Sequence, residues 1–80
     1  MGKNYSVGKA IREIRLQKGI SASFLARSVG IDPSTLSKYE HGERKVDVEL
    51  LPTFAEILGV SVEKFFEEKI GETPTNEVTT

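Results

Sequence analysis

No cysteine occurs in the 80 residues. Disulfides and thiolate chemistry are therefore excluded, and a reducing cytoplasm fits the composition. No apolar run approaches the roughly 20 residues that cross a bilayer, so a membrane role is not expected. The first residues, MGKNYSVGKA, lack the apolar stretch of a signal peptide. There is no glycine-rich phosphate loop and only one histidine, so no histidine pair exists. No serine stands with a histidine base in an arrangement suited to nucleophilic catalysis. The expectation is a non-enzyme without cofactor or metal. Alternating β-branched runs with hairpin turns are also missing, which points to an all-α class. No internal repeat appears, and nothing of low complexity precedes residue 71.

What is present is one small domain's worth of chain. A core at this size is marginal, and many such domains gain stability by dimerising. The net charge of −1 conceals an asymmetry. Residues 1–45 hold nine Lys/Arg and four Asp/Glu, a balance of +5. Residues 46–80 hold two Lys and eight Asp/Glu, a balance of −6. A basic front and an acidic back would draw a polyanion to one side only. The plainer alternative is chance clustering of solvated charges.

Caps and periodicity predict five short helices. Ser6 caps the first, whose apolar face is Val7, Ala10, Ile11 and Ile14, and Gly19 ends it. Ser21 caps a second, carrying Phe24, Leu25 and Val29 and ended by Gly30. Asp32 followed by Pro33 starts a third. The carboxylate accepts from free amides there, and proline suits the first helical position. This helix carries Leu36 and Tyr39 and stops near Gly42. Asp47 starts a fourth, through Leu51, Phe54, Ala55 and Leu58 to Gly59; Pro52 is tolerable in it only near the first turn. Ser61 caps a fifth with Val62, Phe65 and Phe66. These define a domain over residues 1–70, with a C-terminal helix that dimerises. The tail GETPTNEVTT, residues 71–80, has almost nothing to bury and is expected to be disordered.

The stretch ARSVGIDPSTLSKYEHGERK, residues 26–45, concentrates the functional signal. Only about three residues, GID, join the second and third helices. So short a link sets two helices at a steep angle rather than side by side. Gly30 permits the left-handed turn, Ile31 can plug the corner, and Ala26 is small where the helices approach. With Leu36 and Tyr39 turned inward, the opposite face of the third helix shows Pro33, Ser34, Ser37, Lys38 and His41. That face is polar and largely free of carboxylates. A helix about 10–12 Å wide fits the major groove, where serine and lysine can meet base edges.

Residues 7–66 resemble the Cro/repressor-type (Xre) helix-turn-helix domain, a five-helix, lambda-repressor-like DNA-binding fold. The resemblance rests on IREIRLQKGIS, on LARSVGIDPSTLSKYEHGER and on FAEILGVSVEKFF. It implies that the second helix crosses the DNA backbone and the third enters the major groove. Base-reading positions then map onto Pro33, Ser34, Ser37 and Lys38. Phosphate contacts map onto Ser21 and Ala22 at the start of the second helix and onto Arg44 and Lys45 after the third. Arg15 and Glu40 fall where the family places an ion pair between the first and third helices. Two departures stand out. Ala22 replaces the glutamine that often follows the helix-two cap, and Pro33 cannot donate to a base.

Other residues keep two readings. His41, the lone histidine, reads as a helix cap or phosphate neighbour rather than a metal ligand. Phe24 occupies a position that is usually polar in the family; it packs on the N-terminal arm or belongs to a partner surface. Phe65, Phe66 and Ile70 lie too close together for a short helix to hide all three, so one or two meet a second subunit. The combined expectation is a cytoplasmic, homodimeric, sequence-specific transcriptional regulator of bacterial or phage type, acting as a stand-alone switch on double-stranded DNA. The rival is a protein-interaction module such as an antitoxin or anti-regulator, gripping a partner through Phe24 or the acidic C-terminal part.

Overall fold

The structure is a computed structural model that describes residues 3–67, with side chains from Val7 onward. Four α-helices are present among these residues: α1 Lys3–Gln17, α2 Ala22–Val29, α3 Pro33–Glu40 and α4 Leu51–Leu58. Two 3-10 segments, Val48–Leu50 and Val62–Phe66, flank α4. The expected all-α class holds, and the expected count of five helices is corrected to four.

The differences have local causes. The fourth apolar run does not form one helix from Asp47. Asp47 instead caps the 3-10 turn, its Oδ1 accepting from the Glu49 amide at 3.0 Å. Pro52 has no amide to donate back to Val48, so an α-helix cannot run through that point. It starts afresh at Leu51, which leaves Pro52 in the first turn, where no amide bond is missed. The last predicted helix is a 3-10 segment of five residues; so short a piece gains little from α-helical bonding. At the other end, α1 begins at Lys3 rather than after a cap at Ser6, which lies inside the helix. No glycine or proline interrupts residues 3–7, so nothing stops the helix there.

The helices and 3-10 segments enclose one core. α1 packs on α3 and on the last 3-10 segment, and α2 packs on α3 and α4. Ile11, Leu25, Leu36 and Phe54 are fully enclosed at its centre. Tyr39 meets Phe54 edge-on, with ring centroids 6.4 Å apart and planes at 71°. Val46 joins the same core although it stands alone between charged residues. Its burial follows from the return of the chain towards α4, which no local periodicity announces.

Gly8 of α1 lies directly against the backbone at the end of α3. A Cβ built there would overlap the Tyr39 carbonyl oxygen and lie 2.6 Å from the carbonyl carbon. Alanine is the better helix former by about 1 kcal/mol, so a free helix surface would gain from the change. Against a backbone wall the methyl has nowhere to go. Gly8→Ala is therefore expected to destabilise the domain by about 1–3 kcal/mol. In a chain of this size that lowers the melting temperature by roughly 4–8 °C per kcal/mol. A melting temperature that rises on substitution would show that the two helices are not pressed together.

Candidate nucleic-acid interface

The turn between α2 and α3 is built from caps. Ser21 is extended (φ −73°, ψ 153°) and its Oγ accepts from the Phe24 amide at 3.1 Å. Gly30 ends α2 in the left-handed region at φ 91°, where a side chain would be strained. The amides of Gly30 and Ile31 both donate to the Ala26 carbonyl at 2.9 Å, which fixes the exit from the helix. Ile31 packs on the core at the corner. Asp32 then takes the extended cap conformation, and its carbonyl accepts from Leu36 at 3.1 Å. Its carboxylate makes no capping hydrogen bond, contrary to the expectation from Asp32–Pro33. The boundary survives on backbone geometry alone.

The buried stripe of α3 is Leu36, Tyr39 and Glu40. Pro33, Ser34, Ser37, Lys38 and the following His41 are all exposed, so the candidate reading positions share the outer side of one short helix. Ser21 and Ala22 lie exposed at the start of α2, and Arg44 and Lys45 lie exposed in the chain leaving α3. No acidic residue stands in the first turn of α2 or of α3. The amides and the positive dipole end of α2 are therefore not neutralised from within that turn.

A buried ion pair sets the position of α3. Arg15 Nε donates to Glu40 Oε2 at 2.8 Å, and Nη2 donates to Oε1 at 3.0 Å. Arg15 Nη1 donates to the Ile20 carbonyl at 3.0 Å, so one guanidinium ties together α1, the end of α3 and the turn entering α2. Its pKa is raised above the usual arginine value. The hydrogen bond to Glu40 is the main cause, burial opposes it, and the Glu40 charge adds to it.

His41 is fastened to its own helix. Its Nδ1 lies 2.8 Å from the Ser37 carbonyl and 3.3 Å from Ser37 Oγ. A carbonyl can only accept, so Nδ1 carries the proton. With the proton there, that nitrogen is not a base towards Ser37. Among the described residues no group of three His, Asp or Glu is placed to hold a metal ion. No helix among them is long and apolar enough to cross a membrane.

The remaining candidates separate. Phe65 is only 1% exposed and belongs to the core of its own chain, which removes it from the expected dimer surface. Phe66 stays 48% exposed and Phe24 51%. Ile70 and the predicted tail lie outside the described residues. One surface escaped the reading from sequence: Lys9, Arg12 and Glu13 of α1 line a shallow depression with Glu40, His41 and Gly42.

Comparison with known proteins places this geometry. A helix-turn-helix family model (HTH_3) matches residues 11–65. The HTH-type transcriptional regulator RamB of Mycobacterium tuberculosis is 37% identical over 65 residues, 81% of this chain and 14% of that protein. The chain thus spans a small part of that relative. Among solved structures, the clp gene regulator ClgR from C. glutamicum superposes with a TM-score of 0.75 at 32% identity, covering 81% of this chain and 84% of that one. The N-terminal DNA binding domain of SinR from Bacillus subtilis gives 0.72 at 32% identity, covering 81% and 96%.

Proposed function

The chain belongs to the Xre-type helix-turn-helix family of bacterial transcription regulators, and from that premise we propose that it binds double-stranded DNA sequence-specifically, as a homodimer, with α3 in the major groove. The observation that carries this reading is the division of α3. Leu36, Tyr39 and Glu40 are buried, while Pro33, Ser34, Ser37 and Lys38 face solvent without a carboxylate among them. Lys38 can donate to guanine O6 and N7, and the serine hydroxyls can donate or accept. Pro33 offers only an apolar surface, so discrimination falls on Ser34, Ser37 and Lys38, helped by the shape of the DNA.

Phosphates are held at two ends. At the start of α2, Ser21 and Ala22 present amides and a dipole; Ala22 adds no side-chain contact. After α3, Arg44 and Lys45 supply charge. With Nδ1 donating to the Ser37 carbonyl, His41 can donate from Nε2 to a phosphate only as the imidazolium. The +5 balance of residues 1–45 supports attraction to a polyanion on this side. For dimerisation, Phe66 is the exposed aromatic of the C-terminal segment, with Ile70 its proposed neighbour in sequence.

Selection of bound sites from random duplexes tests the reading. The enriched site is expected to be an inverted repeat with half-sites about 34–36 Å apart, or a multiple of that spacing. Sedimentation at tens of micromolar should show a dimer that Phe66→Ser converts to monomer. Enrichment of a single half-site by a monomer would remove the dimer, and no enrichment at all would remove sequence-specific binding. One observation favours a second reading. Phe24 remains half exposed on the first turn of α2, which suits a protein partner better than solvent. Such a partner should co-purify from native cells and be lost on Phe24→Ser.

A further inference from the structure

Resting on the DNA-binding role proposed above, we infer that Lys9 and Arg12 of α1 form an additional binding surface for the DNA phosphate backbone, beside the exit of α3. Neither residue belongs to the turn between α2 and α3 or to the basic pair that follows α3.

Their placement follows from Gly8. Because that residue has no side chain, α1 lies against the Tyr39 carbonyl, and the ion pair from Arg15 to Glu40 holds the same two helices together about two turns further along α1. Lys9 and Arg12 thereby line one depression with His41 and Gly42, the residues through which the chain leaves α3. Both cations are exposed. Among the described residues neither has a carboxylate within 4.0 Å, the ion pairs there being Arg15–Glu40 and Lys64–Glu67.

Charge in the depression favours an anion. Glu40 is neutralised by Arg15. Glu13 is then the one remaining carboxylate of the lining, set against Lys9 and Arg12. Size points to phosphate in particular. A helix about 10–12 Å wide with its side chains fills the roughly 12 Å major groove, so the phosphate walls stand close on both sides of α3 and of its exit. The side chains lining that exit are the ones that meet a wall.

The test is the salt dependence of binding, measured on the site selected from random DNA and on a mixed-sequence duplex. Each phosphate contact contributes about 0.9 to the slope of log affinity against log salt. Lys9→Gln with Arg12→Gln should flatten the slope by about 1.8 on both duplexes, with the preferred site unchanged. The charge-preserving pair Lys9→Arg with Arg12→Lys should restore the parental slope. Melting curves should match the parent throughout, because both side chains are exposed. Arg44→Gln with Lys45→Gln provides the comparison. If that pair flattens the slope and Lys9→Gln with Arg12→Gln does not, the additional surface is refuted while DNA binding stands. A parent protein that binds neither duplex in a salt-dependent way refutes the DNA-binding role itself.

Discussion

Breaking the Arg15–Glu40 pair from one side is expected to cost about 3–5 kcal/mol of stability. The side chains are 11% and 4% exposed, so neither charge has much water to fall back on. Glu40→Gln keeps the shape and removes the charge, leaving a guanidinium enclosed without its counter-ion. Arg15→Met leaves the Glu40 carboxylate enclosed and also abandons the Ile20 carbonyl, which Arg15 holds at 3.0 Å. Arg15→Met should therefore be the more damaging of the two. A domain of this kind is stable by about 5–15 kcal/mol in all, so either change uses up much of the margin. Replacing both partners by apolar residues should cost far less than the sum of the single changes, because no charge is then stranded. Denaturant unfolding of the two single variants and the double variant, read as a cycle, measures this. Single variants within about 1 kcal/mol of the parent would mean that the pair is solvated and does not fix α3.

Local chemistry was legible wherever a cap or a short link decided the outcome. Ser21, Gly30 and Pro33 placed the α2–α3 turn to the residue, because each acts on backbone within a few residues of itself. Pro52 warned of a boundary and fell in the first turn of α4. What stayed hidden depended on distant partners. Gly8 reads as a weak point in a helix until the Tyr39 carbonyl is seen beside it. Phe65 and Phe66 are alike in type and adjacent in sequence, yet one is enclosed and the other half exposed. The packing of the last 3-10 segment on α1 and α4 distinguishes them. Lys9 and Arg12 could be counted in the basic front half, but their company at the exit of α3 depends on how α1 crosses it. Asp32 shows the reverse: a strong local signal whose expected bond is not made.

Two changes on α3, two positions apart, should separate folding from recognition. Leu36 is fully buried between the helices. Leu36→Ala removes three carbons from a packed site, and the cost is expected to be about 2–5 kcal/mol according to how far the neighbours relax. At roughly 4–8 °C per kcal/mol for a domain of this size, the melting temperature should fall steeply. DNA binding should be lost only in proportion to the unfolded fraction, and on all duplexes alike. Lys38 lies exposed on the same helix. Lys38→Ala should leave stability within about 0.5 kcal/mol of the parent. It should weaken binding to the preferred site by about 1–3 kcal/mol, chiefly by relaxing the choice of base at one position. A lysine that only touched phosphate would behave differently, weakening all sequences equally and flattening the salt slope by about one contact. Thermal melting with binding to matched and mismatched duplexes distinguishes the cases. If Lys38→Ala binds every duplex as the parent does, α3 reads no base at that position. The half-exposed Phe24 on α2 then becomes the stronger lead, and a protein partner the better explanation of the same fold.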